Sequence, residues 1–221
     1  MGIVTEQEAL TADTASTKAE IYKEKAPQKE EAPVEERTDL TIEEAEELAD
    51  GRSFELIDGR MVLKMGDKKH SRCQGYLIGK FFVYFEKNPI GQVLPEFSFR
   101  PWPENKRNWR TPDIAVFLNE NLHEGEKYEP RAPDLAIEIV SDDDRAAKIF
   151  AKARLYLEKG SKVVWIVFPS EESVVVMTPT ERRWESATLT CPEILPDFSL
   201  DAAEIFSWPK QQPSPATEEA A

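Results

Sequence analysis

The pattern of apolar and polar positions divides the chain into a folded middle and two polar ends. Residues 1–38 are rich in Glu, Lys, Thr, Ala and Pro with few large apolar side chains, and residues 207–221 are similar in character. Such segments bury too little apolar surface to offset the entropy lost on ordering. We therefore predict a disordered acidic tail over 1–38, a single domain over 39–206 and a disordered C-terminal tail over 207–221.

Capping and turn residues mark the first elements of this domain. Thr41 and Glu44 have the spacing of a capping box, which predicts a short helix. Within residues 54–63, Asp58-Gly59 lies between two runs of alternating apolar residues, the composition that a type I′ hairpin turn requires. The dense apolar positions of residues 69–86 predict a long, well-buried helix.

The rest of the domain alternates between strand-like runs and one further helix. Four runs with the composition of buried strands begin at Val93, Asp113, Asp134 and Val163. A helix over about 144–159 separates the last two runs, and a hairpin made of SVVVMT and RRWESATL is expected to extend the sheet. The pattern predicts an α/β or α+β domain with a mixed β-sheet, preceded by an N-terminal β-hairpin.

Charge and cysteine content exclude several classes of protein. The net charge of -14 argues against a protein that coats DNA nonspecifically, although it does not exclude a nuclease. With two cysteines and two histidines the chain lacks the ligands of a typical zinc site, so any metal must be held mainly by oxygen. The absence of a long apolar run and of a secretory signal predicts a soluble, cytoplasmic protein without membrane contact.

A carboxylate inside a predicted buried strand is the first candidate for chemistry. Glu138 lies in the run DLAIEIV, residues 134–140, which is apolar enough to be buried on both faces of a sheet. An unpaired carboxylate there would cost several kcal/mol, so a cation, a metal or a hydrogen-bond network must compensate it. The simpler alternative is a position near the strand end with a lysine partner.

Two Pro-Asp pairs supply the second candidate. Asp134 and Glu138 are four residues apart on one predicted strand, hence roughly 13 Å apart at about 3.3 Å per residue, and cannot share an ion. Asp113 lies at the entrance of another strand and could converge with Glu138 on one ion. We therefore interpret Asp134 as structural, and Asp113 as a candidate ligand that by itself would more often be a turn residue or cap.

The third candidate is a lysine on the helix that follows the glutamate strand. Lys152 and Tyr156 lie one turn apart along the border of this helix's apolar face. The long side chain of Lys152 could extend from there to the end of a strand. The alternative is a solvated surface lysine, and Lys148 and Lys159 fit that description equally well.

Taken in order, several motifs resemble the bacterial Uma2 family, which is placed in the PD-(D/E)XK restriction-endonuclease-like superfamily. They are FELIDG with Glu55, His70 before the long helix, TPDIAVF with Asp113, APDLAIEIVS with Glu138, the pair Lys152 and Tyr156, VVWIV, and LPDFSLDAAEIF. The resemblance covers about residues 40–206. It implies a restriction-endonuclease-like core, in which a mixed β-sheet is flanked by helices.

The resemblance also implies an activity and roles for residues. It implies an endonuclease that hydrolyses DNA with Mg²⁺ or Mn²⁺, with Asp113 and Glu138 as metal ligands and Lys152 orienting the attacking water or stabilising the transition state. Glu55, His70 and Tyr156 would be accessory residues. The sequence departs from the superfamily at Val140, which stands where the lysine is expected, and the family pattern moves that lysine to Lys152.

A second hypothesis is a non-catalytic member of the fold that binds nucleic acid or protein. The acidic run Asp142 to Asp144 favours it, whereas the intact Asp, Glu and Lys favour a nuclease. Basic and aromatic candidates for lining a nucleic-acid groove are Lys64, Lys68, Lys69, Arg72, Lys106, Arg107, Arg110, Trp102 and Trp109. The sequence leaves the oligomeric state open, a homodimer included.

Overall fold

The computed structural model describes residues 36–123, 125, 127–141 and 144–207. The predicted tails therefore lie outside the described residues except for 36–38 and 207, and so do Asp142 and Asp143. None of the helices in the described part of the chain combines the length and the apolar content needed to cross a membrane.

The first helix and hairpin form as their capping and turn residues predict. Helix α1 (Ile42–Ala49) begins at Thr41, whose side chain and that of Glu44 each accept the other residue's backbone N–H in a capping box. Strands β1 (Phe54–Ile57) and β2 (Arg60–Leu63) pair antiparallel. Asp58 and Gly59 between them both have positive φ, 50° and 79°, which a type I′ turn requires.

The hairpin is attached to the rest of the domain through Trp109. This residue forms a β-bridge with Leu56, its ring centroid lies 4.4 Å from that of Phe54, and its indole N–H donates to the Phe54 carbonyl. Trp109 is 2% exposed, and Arg110 is also buried, donating to the carbonyls of Leu56 and Trp109. The prediction that these two residues line a nucleic-acid groove is therefore wrong, because both are used to bury the hairpin.

A six-stranded mixed sheet forms the centre of the domain. In spatial order its strands are β3 (Gly91–Pro95), β4 (Ile114–Leu118), β5 (Leu135–Ile139), β6 (Val163–Phe168), β7 (Ser173–Met177) and β8 (Arg182–Glu185). Neighbours are antiparallel except β5 and β6, which are parallel and joined by helix α3 (Ala146–Glu158). The predicted fold class, a mixed sheet flanked by helices after an N-terminal hairpin, is confirmed.

Each face of the sheet carries its own layer. Helix α2 (Lys68–Lys87) and helix α4 (Ala202–Phe206) pack on one face with a two-stranded sheet of β9 (Thr188–Cys191) and β10 (Leu195–Asp201). Helix α3 packs on the other face. Every residue of β5 is buried, as the sequence predicts, with Ile137 facing α2 and Ala136 facing α3.

Two predicted strands end earlier than the sequence pattern suggests. The run from Val93 stops at Pro95, because Glu96 takes a positive φ of 48° that a strand does not accommodate. The run RRWESATL divides into β8 and β9, and β9 pairs with β10 instead of extending the central sheet.

Asp134 has the structural role that its spacing from Glu138 predicts. Its carboxylate accepts the backbone N–H of Leu118 at 2.9 Å and the side-chain amide of Asn121 at 2.9 Å, and it pairs with Arg131 at 3.3 Å. The side chain is 0% exposed. Asp134 thereby fixes the segment after β4 to the start of β5.

We expect Asp134→Ala to lower the free energy of unfolding by about 3 kcal/mol, because the Leu118 N–H and the Arg131 charge lose a buried acceptor. Urea denaturation measures the change. Asp39→Ala removes an exposed carboxylate that pairs with Arg37 and should leave the free energy of unfolding nearly unchanged. Equal effects of the two substitutions would contradict the structural role of Asp134.

Candidate functional site

The register of β4 and β5 brings Asp113 and Glu138 together at the same end of these two neighbouring strands. Ile114 is paired with Ile137, so Asp113, one residue earlier, lies across from Glu138 on the antiparallel neighbour. The Asp113 carboxylate accepts the backbone N–H of Ile139 at 2.7 Å. Both acids are buried, at 2% and 3% exposure. The two strands are adjacent, as is needed for the two acids to bind one ion.

Helix α3 supplies the partners of Glu138. The Lys152 ammonium lies 2.8 Å from Glu138 Oε2, and the Tyr156 hydroxyl donates to Glu138 Oε1 at 2.6 Å. The Lys152 side chain is 16% exposed and Tyr156 is fully buried. The alternative of a solvated surface lysine is therefore wrong for Lys152. Lys152 and Tyr156 lie on the side of the helix that faces β5, where both contact Glu138.

Glu55 reaches the same place from the hairpin. Its Oε1 accepts the backbone N–H of Thr111 at 3.0 Å and lies 3.1 Å from the Lys152 ammonium. Glu55 is buried, not exposed on the hairpin. Lys152 therefore lies between two carboxylates that come from separate parts of the fold.

His70 and Lys64 surround the other carboxylate. His70 Nε2, near the start of α2, lies 3.2 Å from Asp113 Oδ2. The Lys64 ammonium lies 2.5 Å from Asp113 Oδ1 and donates to the Thr111 carbonyl at 2.7 Å. The sequence predicts Lys64 only as a residue that could line a nucleic-acid groove, so its position in this site is a finding of the structure.

A signal for Lys64 was present in the hairpin pattern. Glu55 is paired with Val62, and opposed residues of an antiparallel pair point to the same side. Since side chains alternate along a strand, Lys64 follows on that side two residues after Val62. Once Glu55 is a candidate for the site, Lys64 becomes one too.

The segment between β2 and α2 lies directly against the imidazole of His70. A Cβ added at Gly66 would lie 2.6 Å from His70 Nδ1, so no other residue fits without a shift. Asp67, the N-cap of α2, accepts the backbone N–H of His70 at 2.8 Å. Nδ1 itself is buried and has no hydrogen-bond partner among the described residues.

These side chains line one cleft of about 320 Å³. Among the residues that line it are Glu55, Val62, Lys64, Gly66, His70, Asp113, Glu138, Ile139 and Lys152. Its rim adds the exposed Met65 and the acidic residues Glu96 and Asp144. Five of the six residues predicted for the site therefore line the cleft. The sixth, Tyr156, is not part of its wall but donates a hydrogen bond to Glu138.

The pKa values of the two predicted ligands are shifted in opposite directions. Burial opposes ionisation of Asp113, but the charge of Lys64 and the hydrogen bond from His70 lower its pKa below the usual range. Burial raises the pKa of Glu138, and the negative charge of Asp113 adds to this, although Lys152 opposes it. Asp113 is therefore firmly anionic, whereas Glu138 depends on a neighbouring cation to keep its charge.

The pKa values of the two basic partners of these acids rise. Burial alone would lower the pKa of Lys152, but the charges of Glu138 and Glu55 raise it above its usual range. Burial also works against a charged His70, while the hydrogen bond to Asp113 raises its pKa from 6.5. The cleft is thus a network of alternating charges.

The donor set fits a hard cation such as Mg²⁺. In the part of the chain that the structure describes, no group of three or more His, Cys, Asp or Glu side chains is placed to hold an ion. Mg²⁺ does not need such a group, because it is usually bound through one or two carboxylates and keeps several waters. Asp113 and Glu138 supply two carboxylates at the wall of a cleft, and each carboxylate oxygen has more than one lone pair.

Comparison with known proteins identifies the family and the fold. The Uma2 family model, described as "Putative restriction endonuclease", matches residues 41–203. Among solved structures, "a putative nuclease belonging to DUF820" from Anabaena variabilis ATCC 29413 is similar with a TM-score of 0.64 and 24% sequence identity, covering 76% of this chain and 98% of that chain. At this identity the likeness shows a shared fold. No curated protein matches the chain.

The raised pKa of His70 predicts a pH-dependent contribution to stability. The contact with Asp113 stabilises the folded state fully below pH 6.5, the usual pKa of histidine, and this contribution is lost as the pH rises through the raised value. In a chelator, His70→Gln should therefore lower the free energy of unfolding more at about pH 5.5 than at about pH 9. Urea denaturation at both pH values tests this, and an equal loss would refute it.

The burial of Lys152 predicts a large cost for removing its charge. Lys152→Met leaves Glu138 and Glu55 without their shared cation, which should lower the free energy of unfolding by about 3–5 kcal/mol. Lys148→Met, an exposed position on the same helix, should change it by less than about 0.5 kcal/mol. Adding Glu138→Gln to Lys152→Met should recover part of the loss; no recovery would show that the pairing is not its cause.

Proposed function

This chain belongs to the Uma2 family, and from that premise we propose that it is a Mg²⁺- or Mn²⁺-dependent endonuclease that hydrolyses DNA phosphodiester bonds. The observation that carries the proposal is the convergence of Asp113, Glu138 and Lys152 in one cleft from three separate elements. The match to a restriction-endonuclease family supports the same reaction class.

Asp113 and Glu138 are the residues proposed to hold the cation. Asp113 is oriented by three partners, the Ile139 N–H, His70 and Lys64, so its carboxylate is fixed before any ligand arrives. When bound, the cation would lower the pKa of a coordinated water and neutralise charge on the phosphodiester. It would also supply the positive charge on which ionisation of the buried Glu138 depends.

Lys152 is proposed to act on the attacking water or on the phosphate. Its ammonium is held by Glu138 and Glu55 from two sides, so it presents a fixed positive charge to the cleft without a cost of reorientation during the reaction. Tyr156 contributes by orienting Glu138 from behind. We assign Glu55 and Tyr156 to positioning, since neither needs to touch the substrate.

The second candidate function is a binding module without catalysis. Two observations favour it: Lys64 and Lys152 are both engaged by carboxylates, and Glu96 and Asp144 add negative charge to the rim where a phosphate backbone would pass. A protein of this kind would use the surface around the cleft and leave the cleft itself empty of substrate.

A cleavage assay separates the two functions. Purified protein is incubated with single-stranded, duplex and branched DNA in Mg²⁺ or Mn²⁺, together with Asp113→Asn, Glu138→Gln, Lys152→Met and the exposed control Lys148→Met. We expect each of the three cleft variants to lose cleavage by about 100-fold or more and the control to retain it. Circular dichroism is needed to confirm that Lys152→Met is folded under the assay conditions.

Two outcomes would contradict the proposal in different ways. Cleavage that persists in all three cleft variants would show that the active site lies elsewhere. A wild-type protein that neither cleaves nor changes its melting temperature with metal would favour the binding module. Light scattering of the same sample determines the oligomeric state, which the sequence leaves open.

A further inference from the structure

The ammonium of Lys64 contacts Asp113, whereas that of Lys152 contacts Glu138. Its ammonium lies 2.5 Å from Asp113 Oδ1 and 2.7 Å from the Thr111 carbonyl. Its backbone N–H donates to the Ser53 carbonyl at 2.9 Å, which fixes the residue at the end of the hairpin. The side chain is 16% exposed and therefore lies at the wall of the cleft with access to water.

The two lysines of the cleft are held differently. Lys152 lies between Glu138 at 2.8 Å and Glu55 at 3.1 Å, so it retains a carboxylate partner even if one acid is taken by a cation. Lys64 has an ion pair with Asp113, and its other contact at the ammonium is a neutral carbonyl. A divalent cation that binds Asp113 would therefore affect Lys64 much more than Lys152.

Oδ2 of Asp113 already accepts the Ile139 N–H and lies 3.2 Å from His70 Nε2, which leaves Oδ1, the oxygen paired with Lys64, as the one most open to a cation. A dication coordinated at Asp113 Oδ1 would lie close to the ammonium in a partly buried site, where two positive charges repel strongly. In the absence of metal the contact is favourable, because Lys64 stabilises the charge of a carboxylate that is almost entirely buried. The same residue thus stabilises the metal-free cleft and opposes entry of the metal.

We propose that Lys64 is the resident counter-ion of Asp113 and is displaced into the cleft when a divalent cation binds, where its ammonium becomes available to a substrate phosphate. The proposal rests on the proposed function, since it needs a metal at Asp113. The side chain has space to move, because the cleft of about 320 Å³ opens beside it and the next residue, Met65, is exposed.

Metal titration tests the competition without any measurement of cleavage. Isothermal calorimetry with Mg²⁺ or Mn²⁺ compares the wild type with Lys64→Met, Lys64→Arg and Lys87→Met. We expect Lys64→Met to bind metal at least about tenfold more tightly, because the competing ammonium is gone. Lys64→Arg keeps a cation at Asp113 and should remain close to the wild type.

Lys87→Met controls for the loss of one positive charge from the whole protein. Lys87 is the exposed last residue of α2, about 26 Å along the helix from His70 at about 1.5 Å per residue. Its replacement should leave the metal affinity within about twofold of the wild type, because charges at this distance are screened by salt.

Amine labelling followed by mass spectrometry reports on Lys64 directly. An acylating reagent should label Lys64 in the wild type several times faster with saturating metal than with chelator, because displacement breaks its ion pair and exposes the ammonium. Labelling of Lys152 should not increase, because Glu55 and Glu138 still hold it.

The outcomes distinguish this proposal from the proposed function. Metal binding by the wild type, together with equal or weaker binding by Lys64→Met, would overturn the competition and leave the metal site standing. Unchanged labelling of Lys64 in the metal-saturated protein would overturn the displacement. No metal binding by any variant would overturn both proposals, whereas binding that appears only in Lys64→Met would support the competition.

Discussion

A charged carboxylate in a strand that is buried on both faces is the constraint around which this domain is arranged. Glu138 loses its hydration on a central strand of the sheet, so the protein must replace the lost water contacts with hydrogen bonds and a positive charge. Helix α3 does so by crossing the sheet with Lys152 and Tyr156 one turn apart over the acid. The crossover that joins two parallel strands therefore also supplies the charge that makes the central strand acceptable.

The hairpin completes the arrangement from outside the central sheet. It forms its own two-stranded sheet and is attached through Trp109, which packs on Phe54 and bridges to Leu56. This attachment carries Glu55 to Lys152 and places Lys64, just after the hairpin, beside Asp113. The cleft is consequently formed between the hairpin and the central sheet. The apolar packing that attaches the hairpin therefore also determines where Glu55 and Lys64 lie relative to Lys152 and Asp113.

The sequence was sufficient where a local rule or a spacing decided the outcome. The capping box at Thr41 and the turn at Asp58-Gly59 specify their elements directly, and the distance between Asp134 and Glu138 along one strand separates the structural acid from the candidate ligand. Lys152 needed the family resemblance, because periodicity alone did not distinguish it from other lysines of the same helix.

The sequence was insufficient where long-range packing decided the outcome. Trp109 and Arg110 lie in a segment without regular periodicity, so nothing local showed that they bury the hairpin. The end of β3 and the pairing of β9 with β10 also depend on contacts between distant parts of the chain. For Lys64 the strand alternation was informative, but only after Glu55 had been placed in the cleft.

The close approach of Gly66 to His70 means that the size of residue 66 limits which side chain position 70 can hold. A side chain at 66 would occupy the space of the imidazole, so a larger residue there is compatible with the fold only if residue 70 becomes smaller or the segment after the hairpin is rebuilt. Such paired changes appear in alignments as covariation between positions in contact. Family members that carry a larger residue in place of the glycine should therefore be ones that have lost the histidine.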